Sequence, residues 1–465
     1  MRDSIRPRAR PGAPSRFGRA FVRLALLAFL SGCAAPNSSA TADDPSSSSP
    51  TKAYGRAFMA EALRAYRFVL DPDVTGPVQR TGRRLVEAIG EDPGAFHFFV
   101  VDEPQPNAFA IPGGYIFVFT GLLTKLADED ELAGVLAHEI GHVTHNHFFQ
   151  DRKQVLALNL ATLAALLLSG GHPAALAFPL GASYNLQLAY SREHEADADA
   201  AAVGYLRKAG YDPAGLARFF QTLEIYERFN ASEVPAYFTT HPGVADRLRV
   251  VQAMAADRAA PEPAARRDLD DWGRVRASLG ATPNGSPPAT GRDPRNVYLR
   301  AVASLKQNRV EAAIEAYRAV LNADPRHVRA RADLALALLK NRMLDGARDE
   351  AVRSLADDPG QALPSVVLGI LAQDAGLHAE AIDRFQAALA REPLDQTTHF
   401  RLAQTFAALD NHAGEAYHLA RYGRLTLNPT QAAIQYERVR ADPQADPELK
   451  RQVERELAEL RREGV

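Results

Sequence analysis

The sequence predicts an α+β chain that is mostly α: one domain with a small sheet, followed by an all-α repeat array. Three observations carry this. Residues 53–257 form a dense region of helical and strand patterns, with a strand-like alternation at Tyr115-Ile116-Phe117-Val118-Phe119. Residues 258–294 change composition, reading PEPAARRDLDD and then GATPNGSPPATGRDP, which is linker-like. Beyond it, Pro325, Pro359 and Pro393 stand 34 residues apart, each after an acidic residue, and Pro429 follows 36 later.

At 465 residues the chain is too long for one ordinary core. Its 46% apolar and 24% charged residues fit a folded soluble protein and exclude a polytopic membrane protein or a disordered chain. The net charge of −2 gives no global basic field for nucleic acid. Cys33 is the single cysteine, so intramolecular disulfides and cysteine-rich zinc modules are excluded.

The first element expected, over 1–32, is an export signal. Seven arginines up to Arg23 face one acid, Asp3, and the apolar run Leu24 to Leu30 is far too short to span a bilayer. Leu30-Ser31-Gly32-Cys33 resembles a bacterial lipobox, in which Cys33 becomes the lipid-modified first residue. Removing 1–32 leaves 47 basic against 55 acidic residues, a net charge of −8. Ala34 in place of Asp favours the outer membrane by resemblance to Gram-negative lipoprotein sorting. Residues 33–52, rich in Ser, read as a tether.

The chemistry lies on the next element. Asp128 to Phe149 has helical spacing at Leu132, Val135, Leu136 and Ile140, with acids at its start. Within it, His138 and His142 stand one turn apart on one face. Two imidazoles so placed can hold one zinc ion, and Glu139 beside the first can take a proton from the attacking water. A zinc hydrolase usually has a third protein ligand. The metzincin extension is excluded, because His145 and Phe148 occupy the places where it needs Gly and His. His145 shares the face of His138, but one straight helix does not easily place three ligands on one ion. A further helix, Tyr190-Ser191-Arg192-Glu193-His194-Glu195-Ala196-Asp197, offers Glu193 and Asp197 at i, i+4. One such carboxylate can bind the metal while the other accepts the free N–H of a ligand histidine.

The runs Val155 to Leu168 and Ala174 to Tyr190 are apolar, and neither spans a bilayer comfortably. They read as a buried hairpin over the active site or as a membrane-surface or client-facing segment. Trp272, between the two pieces of the linker, marks a stretch that packs on a neighbour.

The 34-residue period is that of the tetratricopeptide repeat, a helical hairpin with small residues where its helices touch. Leu368, Gly369, Ala381, Phe385 and Ala388 fit one repeat, and Ala301, Ala313 and Tyr317 another. Leu334, Ala335 and Ala347 fit a third, in which Ala351 replaces the expected aromatic. The stretch after Pro393 is looser, and the last 36 residues read as a capping helix pair. Such arrays, expected here over 295–465, bind other proteins on a concave face.

His138-Glu139-Ile140-Gly141-His142, with Ser191 to Asp199 further on, resembles the HtpX-like and CAAX-prenyl-protease-like zinc metallopeptidases. Asn107 to Gly114 before the strand, Thr120 to Leu123 after it, and Thr240-His241-Pro242 with Arg247 match as well. The resemblance implies a gluzincin-type domain over 53–257 with one zinc ion per chain. In that family's Glu-x-x-x-Asp register, Glu193 becomes the third ligand and Asp197 its outer partner, leaving Glu195 and Asp199 without a metal role. With its export signal and repeats, the chain resembles the periplasmic BepA-like subgroup. That implies a latency role for His241 at the zinc, and partnership with the β-barrel assembly machinery through the repeats. The chain departs from the subgroup in its lipobox and in lacking the cysteines for a regulatory disulfide. The ribbon including Ala110, Gly113, Gly114 and Tyr115 is expected to pair with an extended substrate as an added strand. Unfolded or misassembled outer-membrane proteins are the expected substrates. Tyr190, His194 and His241 all remain open as the oxyanion donor. An assembly factor acting through the repeats, with the protease site latent, is the competing expectation.

Overall fold

The computed structural model describes residues 50–150, 191–229, 237, 241–256, 269–280 and 293–463. The expected export signal, Cys33, the apolar run 155–168 and Tyr190 lie outside the described residues. Among the described residues, no helix is long and apolar enough to cross a membrane.

Helix α1 (Pro50–Ala65) and helix α2 (Pro72–Ile89) precede strands β1 (His97–Val101), β2 (Ala108–Ile111) and β3 (Tyr115–Phe119). Asp71 caps α2 by accepting the N–H of Asp73, and Gly90 closes it in the left-handed region. The sheet order is β1-β3-β2, with β1 parallel and β2 antiparallel to β3. Strand alternation splits the side chains between two faces. Ile116 and Val118 enter the main core beside Val78, Leu85 and Leu136. Phe117 and Phe119 join Phe109 and Ile111 in a second cluster with Ala62 of α1. Both faces are therefore buried, which is why the strands are apolar at nearly every position.

Tyr115 pairs with His97 on one side and Ile111 on the other, so the expectation of substrate pairing along the whole ribbon needs correction. A central strand has no free ladder edge, and β1 and β2, with Ala110, are the outer strands of the described sheet. Gly113 and Gly114 form the turn between β2 and β3. Gly114 has φ +82, and a Cβ there would lie 1.9 Å from the Ala95 carbonyl oxygen, so only glycine fits.

After α3 (Thr120–Leu123) comes the central helix α4 (Glu129–Thr144), and then α5 (His147–Gln150). Asp128 caps α4 by accepting the N–H of Glu131, whose own carboxylate accepts the N–H of Ala127. This is a near-reciprocal capping box, and Glu129 and Asp130 add charge favourable to the helix N-terminus. Helices α6 (Arg192–Lys208), α7 (Ala214–Phe229) and α8 (Val244–Ala256) complete the core around α4. Gly134 lets α4 and α7 touch backbone to backbone, since a Cβ there would lie 2.8 Å from the Leu216 backbone.

Helix α9 (Leu269–Ser278) occupies part of the expected linker. Trp272 is buried in the first core and donates its indole N–H to the Leu126 carbonyl at 2.9 Å. Five antiparallel helix pairs follow: α10 (Pro294–Lys306) and α11 (Val310–Ala323), α12 (Val328–Lys340) and α13 (Leu344–Asp357), α14 (Leu363–Asp374) and α15 (His378–Arg391), α16 (Gln396–Ala407) and α17 (His412–Leu425), and α18 (Pro429–Ala441) and α19 (Pro447–Glu463). The expected small contacts are buried, including Ala301, Ala335, Ala347 and Ala381, and Ala351 is fully buried where an aromatic was expected. The pair after Pro393 is as regular as its predecessors, because Ala403, Ala416 and Ala420 supply the same close contact.

The array is clamped to the first domain by charge. Arg274 of α9 donates to Asp73 of α2 at 2.9 Å and also contacts Tyr298 of α10 and Asp333 of α12. Lys306 of α10 pairs with Asp71 at 2.7 Å and Asp73 at 2.9 Å. Burial opposes ionisation of Asp73, but Arg274 and Lys306 outweigh it and hold its carboxyl down at about 2.

Candidate metal centre

Three elements converge at the middle of the first domain. Helix α4 carries His138, Glu139 and His142, α6 carries Glu195 and Asp199, and the segment entering α8 carries His241, with Arg247 in that helix. All seven side chains are buried. His138, His142, Glu195 and His241 each bring one donor atom into a single group, the four atoms lying within 4.8 Å of one another.

The spacing of these donors tests whether an ion fits. Bonds of about 2.0–2.1 Å at tetrahedral angles place neighbouring donors about 3.3 Å apart. His138 Nε2 lies 3.0 Å from His142 Nε2 and 3.3 Å from His241 Nδ1. Glu195 Oε2 is 3.4 Å from His138 Nε2, and its Oε1 is 3.6 Å from His142 Nε2 and 2.9 Å from His241 Nδ1. The donor set of imidazoles and one carboxylate also suits zinc. Both carboxylate oxygens of Glu139 are fully buried and accept no hydrogen bond among the described residues, and His241 Nε2 stands 3.5 Å from one of them. A buried carboxylate without a donor is costly, so its orphaned oxygens mark where a water or another positive group belongs.

Around the donors runs a supporting set. Asp199 Oδ1 lies 3.0 Å from His138 Nδ1, the usual carboxylate behind a ligand histidine. Arg247 grips Asp199 with two hydrogen bonds of 2.7 Å, pairs with Glu195, and lies over the Phe220 ring. Tyr237 stacks on His241 and its carbonyl accepts the His241 N–H at 2.8 Å.

The electrostatics follow from burial and neighbours. Burial disfavours a charged His138, but the hydrogen bonds it donates to Asp199 and Glu195 overcome this and push its pKa up to about 9. Burial holds His142 well below its ordinary value, helped by the charge on His138. Burial raises Glu139, against the pull of His241 and His138. Glu195 is held well below the usual carboxylate range; burial opposes this, and His241, His138 and Arg247 prevail.

The structure corrects the carboxylate register. Glu193 and Asp197 are exposed, whereas Glu195 and Asp199 face the histidines. Positions two apart on a helix point about 200° apart, so these two pairs cannot serve one site together. The pattern Glu-x-x-x-Asp occurs twice, offset by two residues. The buried stripe of Ala198, Ala202, Val203 and Leu206 lies on the side of Glu195, and that apolar periodicity was the signal available in the sequence. His145 takes no part in the cluster; its Nδ1 contacts the Gly141 carbonyl at 3.0 Å. His194 is buried and stacks on His147, a residue the sequence reading did not single out.

Residues 72–255 match the model of peptidase family M48, and residues 298–362 and 366–431 each match the tetratricopeptide repeat. The first domain is an M48 peptidase domain. The beta-barrel assembly-enhancing protease of Escherichia coli strain K12 is 31% identical over 186 residues, 38% of each chain. The mitochondrial metalloendopeptidase OMA1 of Schizosaccharomyces pombe is 29% identical over 197 residues, 42% of this chain and 55% of that one. The chain thus spans well under two thirds of the length of these relatives. A solved MamA structure covers 34% of this chain and 94% of its own at 20% identity, with a TM-score of 0.26.

Proposed function

We propose that this chain is a zinc-dependent endopeptidase for unfolded or extended protein segments. The observation that carries the reading is the buried set His138, His142 and Glu195, spaced for one tetrahedral ion beside the orphaned carboxylate of Glu139. One zinc ion there would activate water and polarise the scissile carbonyl. Glu139 takes the proton of the attacking water and passes it to the leaving amine. Asp199, held by Arg247, keeps His138 in the tautomer that offers Nε2.

The wider setting of this reading is protein quality control at the outer membrane. The lipobox at Cys33 would anchor the chain on the periplasmic face, and the repeats would dock it on the β-barrel assembly machinery. Its clients would be misfolded or stalled outer-membrane proteins, whose assembly it would also assist. The name of the Escherichia coli relative supports this setting, as does the repeat array.

A second reading, an assembly factor with a latent protease site, is favoured by His241. Its Nδ1 occupies the fourth corner of the donor set, the position a catalytic zinc site keeps open. In this reading His241 closes the site until it is displaced.

Cleavage of unfolded casein by the zinc-loaded chain, beside Glu139→Gln and His241→Ala, separates the two. Cleavage by the wild type and not by Glu139→Gln supports the endopeptidase. Cleavage gained only in His241→Ala supports latency. Silence in both, with zinc bound, argues for the assembly factor.

A further inference from the structure

We infer that His147 is a positioning residue for the metal centre: it accepts the Nδ1–H of His142 and so fixes the tautomer that leaves Nε2 free for the ion. The inference rests on the metallopeptidase reading and adds a residue outside the family motif quoted above.

His142 turns Nε2 toward His138 Nε2 at 3.0 Å, inside the donor set. Its other nitrogen, Nδ1, lies 3.0 Å from His147 Nδ1. Two ring nitrogens at that separation share one proton between a donor and an acceptor. A neutral imidazole that offers its Nε2 lone pair to a metal carries its proton on Nδ1. His142 is therefore the donor and His147 the acceptor, and the His147 proton sits on Nε2. His142 is buried, so an Nδ1–H left without an acceptor would weaken the ligand arrangement directly.

The fold places His147 for this task. Asn146 ends α4 with φ 53, in the left-handed region that Asn tolerates better than most residues. The next residue, His147, opens α5, and its ring lies against His142. The ring is then held on other sides. It stacks flat on His194, with centroids 4.6 Å apart and an angle of 11°, and on His145 at 5.4 Å. It meets His142 edge-on, at 74°. A ring fixed by two stacks and buried to within 3% has little rotamer freedom, as an orienting partner requires.

The two histidines of the motif are thus backed differently. His138 has a carboxylate, Asp199, behind its Nδ1, whereas His142 has a neutral imidazole. Partners in this position typically govern metal affinity by about 10- to 100-fold.

The test compares His147→Asn with His147→Leu in the full chain. The two side chains have nearly the same shape, but only Asn offers an oxygen where His147 Nδ1 sits. Zinc affinity is read by competition with a chromophoric chelator, and folding of the metal-free variants by thermal melting. The expected result is zinc binding about 10- to 100-fold weaker in His147→Leu, with His147→Asn much closer to wild type. Wild-type affinity in His147→Leu, or equal losses in both variants, overturns the inference while leaving the metallopeptidase reading intact. Failure of the wild type to bind zinc overturns both. Should His147→Leu not fold, nitrogen-15 spectra of the zinc-loaded wild type give the answer directly. They are expected to show His142 protonated at Nδ1 and His147 bare at Nδ1; the reverse assignment overturns the inference.

Discussion

Replacing Glu195 by Gln, beside the same change at Glu193, tests which carboxylate completes the metal centre. The two glutamates lie two residues apart on α6, so they point to opposite sides of the helix. Glu195 is fully buried, with its oxygens 2.9–3.6 Å from donor nitrogens of three histidines. Glu193 is exposed. Loss of an outer partner alone lowers metal affinity by about 10- to 100-fold, so loss of a directly coordinating charge should reach the upper end of that range or exceed it. A hundredfold change is about 2.7 kcal/mol. Glu193→Gln should change affinity by less than about threefold, as for a solvated helix-face charge. Chelator competition on the purified full-length variants reads both numbers in one titration. Tight zinc binding by Glu195→Gln together with weak binding by Glu193→Gln would refute the register argued above.

Three further outcomes follow from the same geometry. Glu139→Gln should retain zinc yet lose about 10²- to 10⁴-fold in peptide hydrolysis, and comparable loss of zinc would show that its role is not proton transfer. Arg274→Met should cost about 3 kcal/mol in urea unfolding, because it strands the buried Asp333 and also frees Asp73; Lys306→Met, at the wetter rim, should cost under about 1 kcal/mol. Asp73 has a folded-state pKa depressed from 3.8 to about 2, so its contribution is complete above pH 3.8 and disappears as pH falls through about 2. The stability gap between wild type and Asp73→Asn should close over that window, and a gap constant across it would contradict the clamp.

Much of the architecture is legible in the sequence. The 34-residue proline spacing located the helix hairpins because each turn must end a helix at the same place in every repeat. Residues 138, 139 and 142 could be placed on one helix because i and i+4 are neighbours in any α-helix. The alternation at Tyr115–Phe119 marked a strand for an equally local reason. Where local rules allow two answers, spacing alone does not choose between them. Both Glu193 with Asp197 and Glu195 with Asp199 satisfy helical spacing, and only the face that α6 packs against α4 separates them. Reading the apolar stripe of α6 together with its acids would have chosen the buried pair.

What the sequence determined by itself was short-range: helix, strand and repeat identity, the histidine pair and its glutamate. What the tertiary structure decided was long-range. His241 comes to His138 across 103 residues, and Arg247 to Asp199 across 48. Arg274 joins Asp73 to Asp333 across the domain boundary. Strand β3 lies between β1 and β2, so the ribbon read from the sequence is the centre of the sheet. None of these follows from spacing, because each depends on how separate elements pack. Buried charges then settle only where that packing supplies their partners.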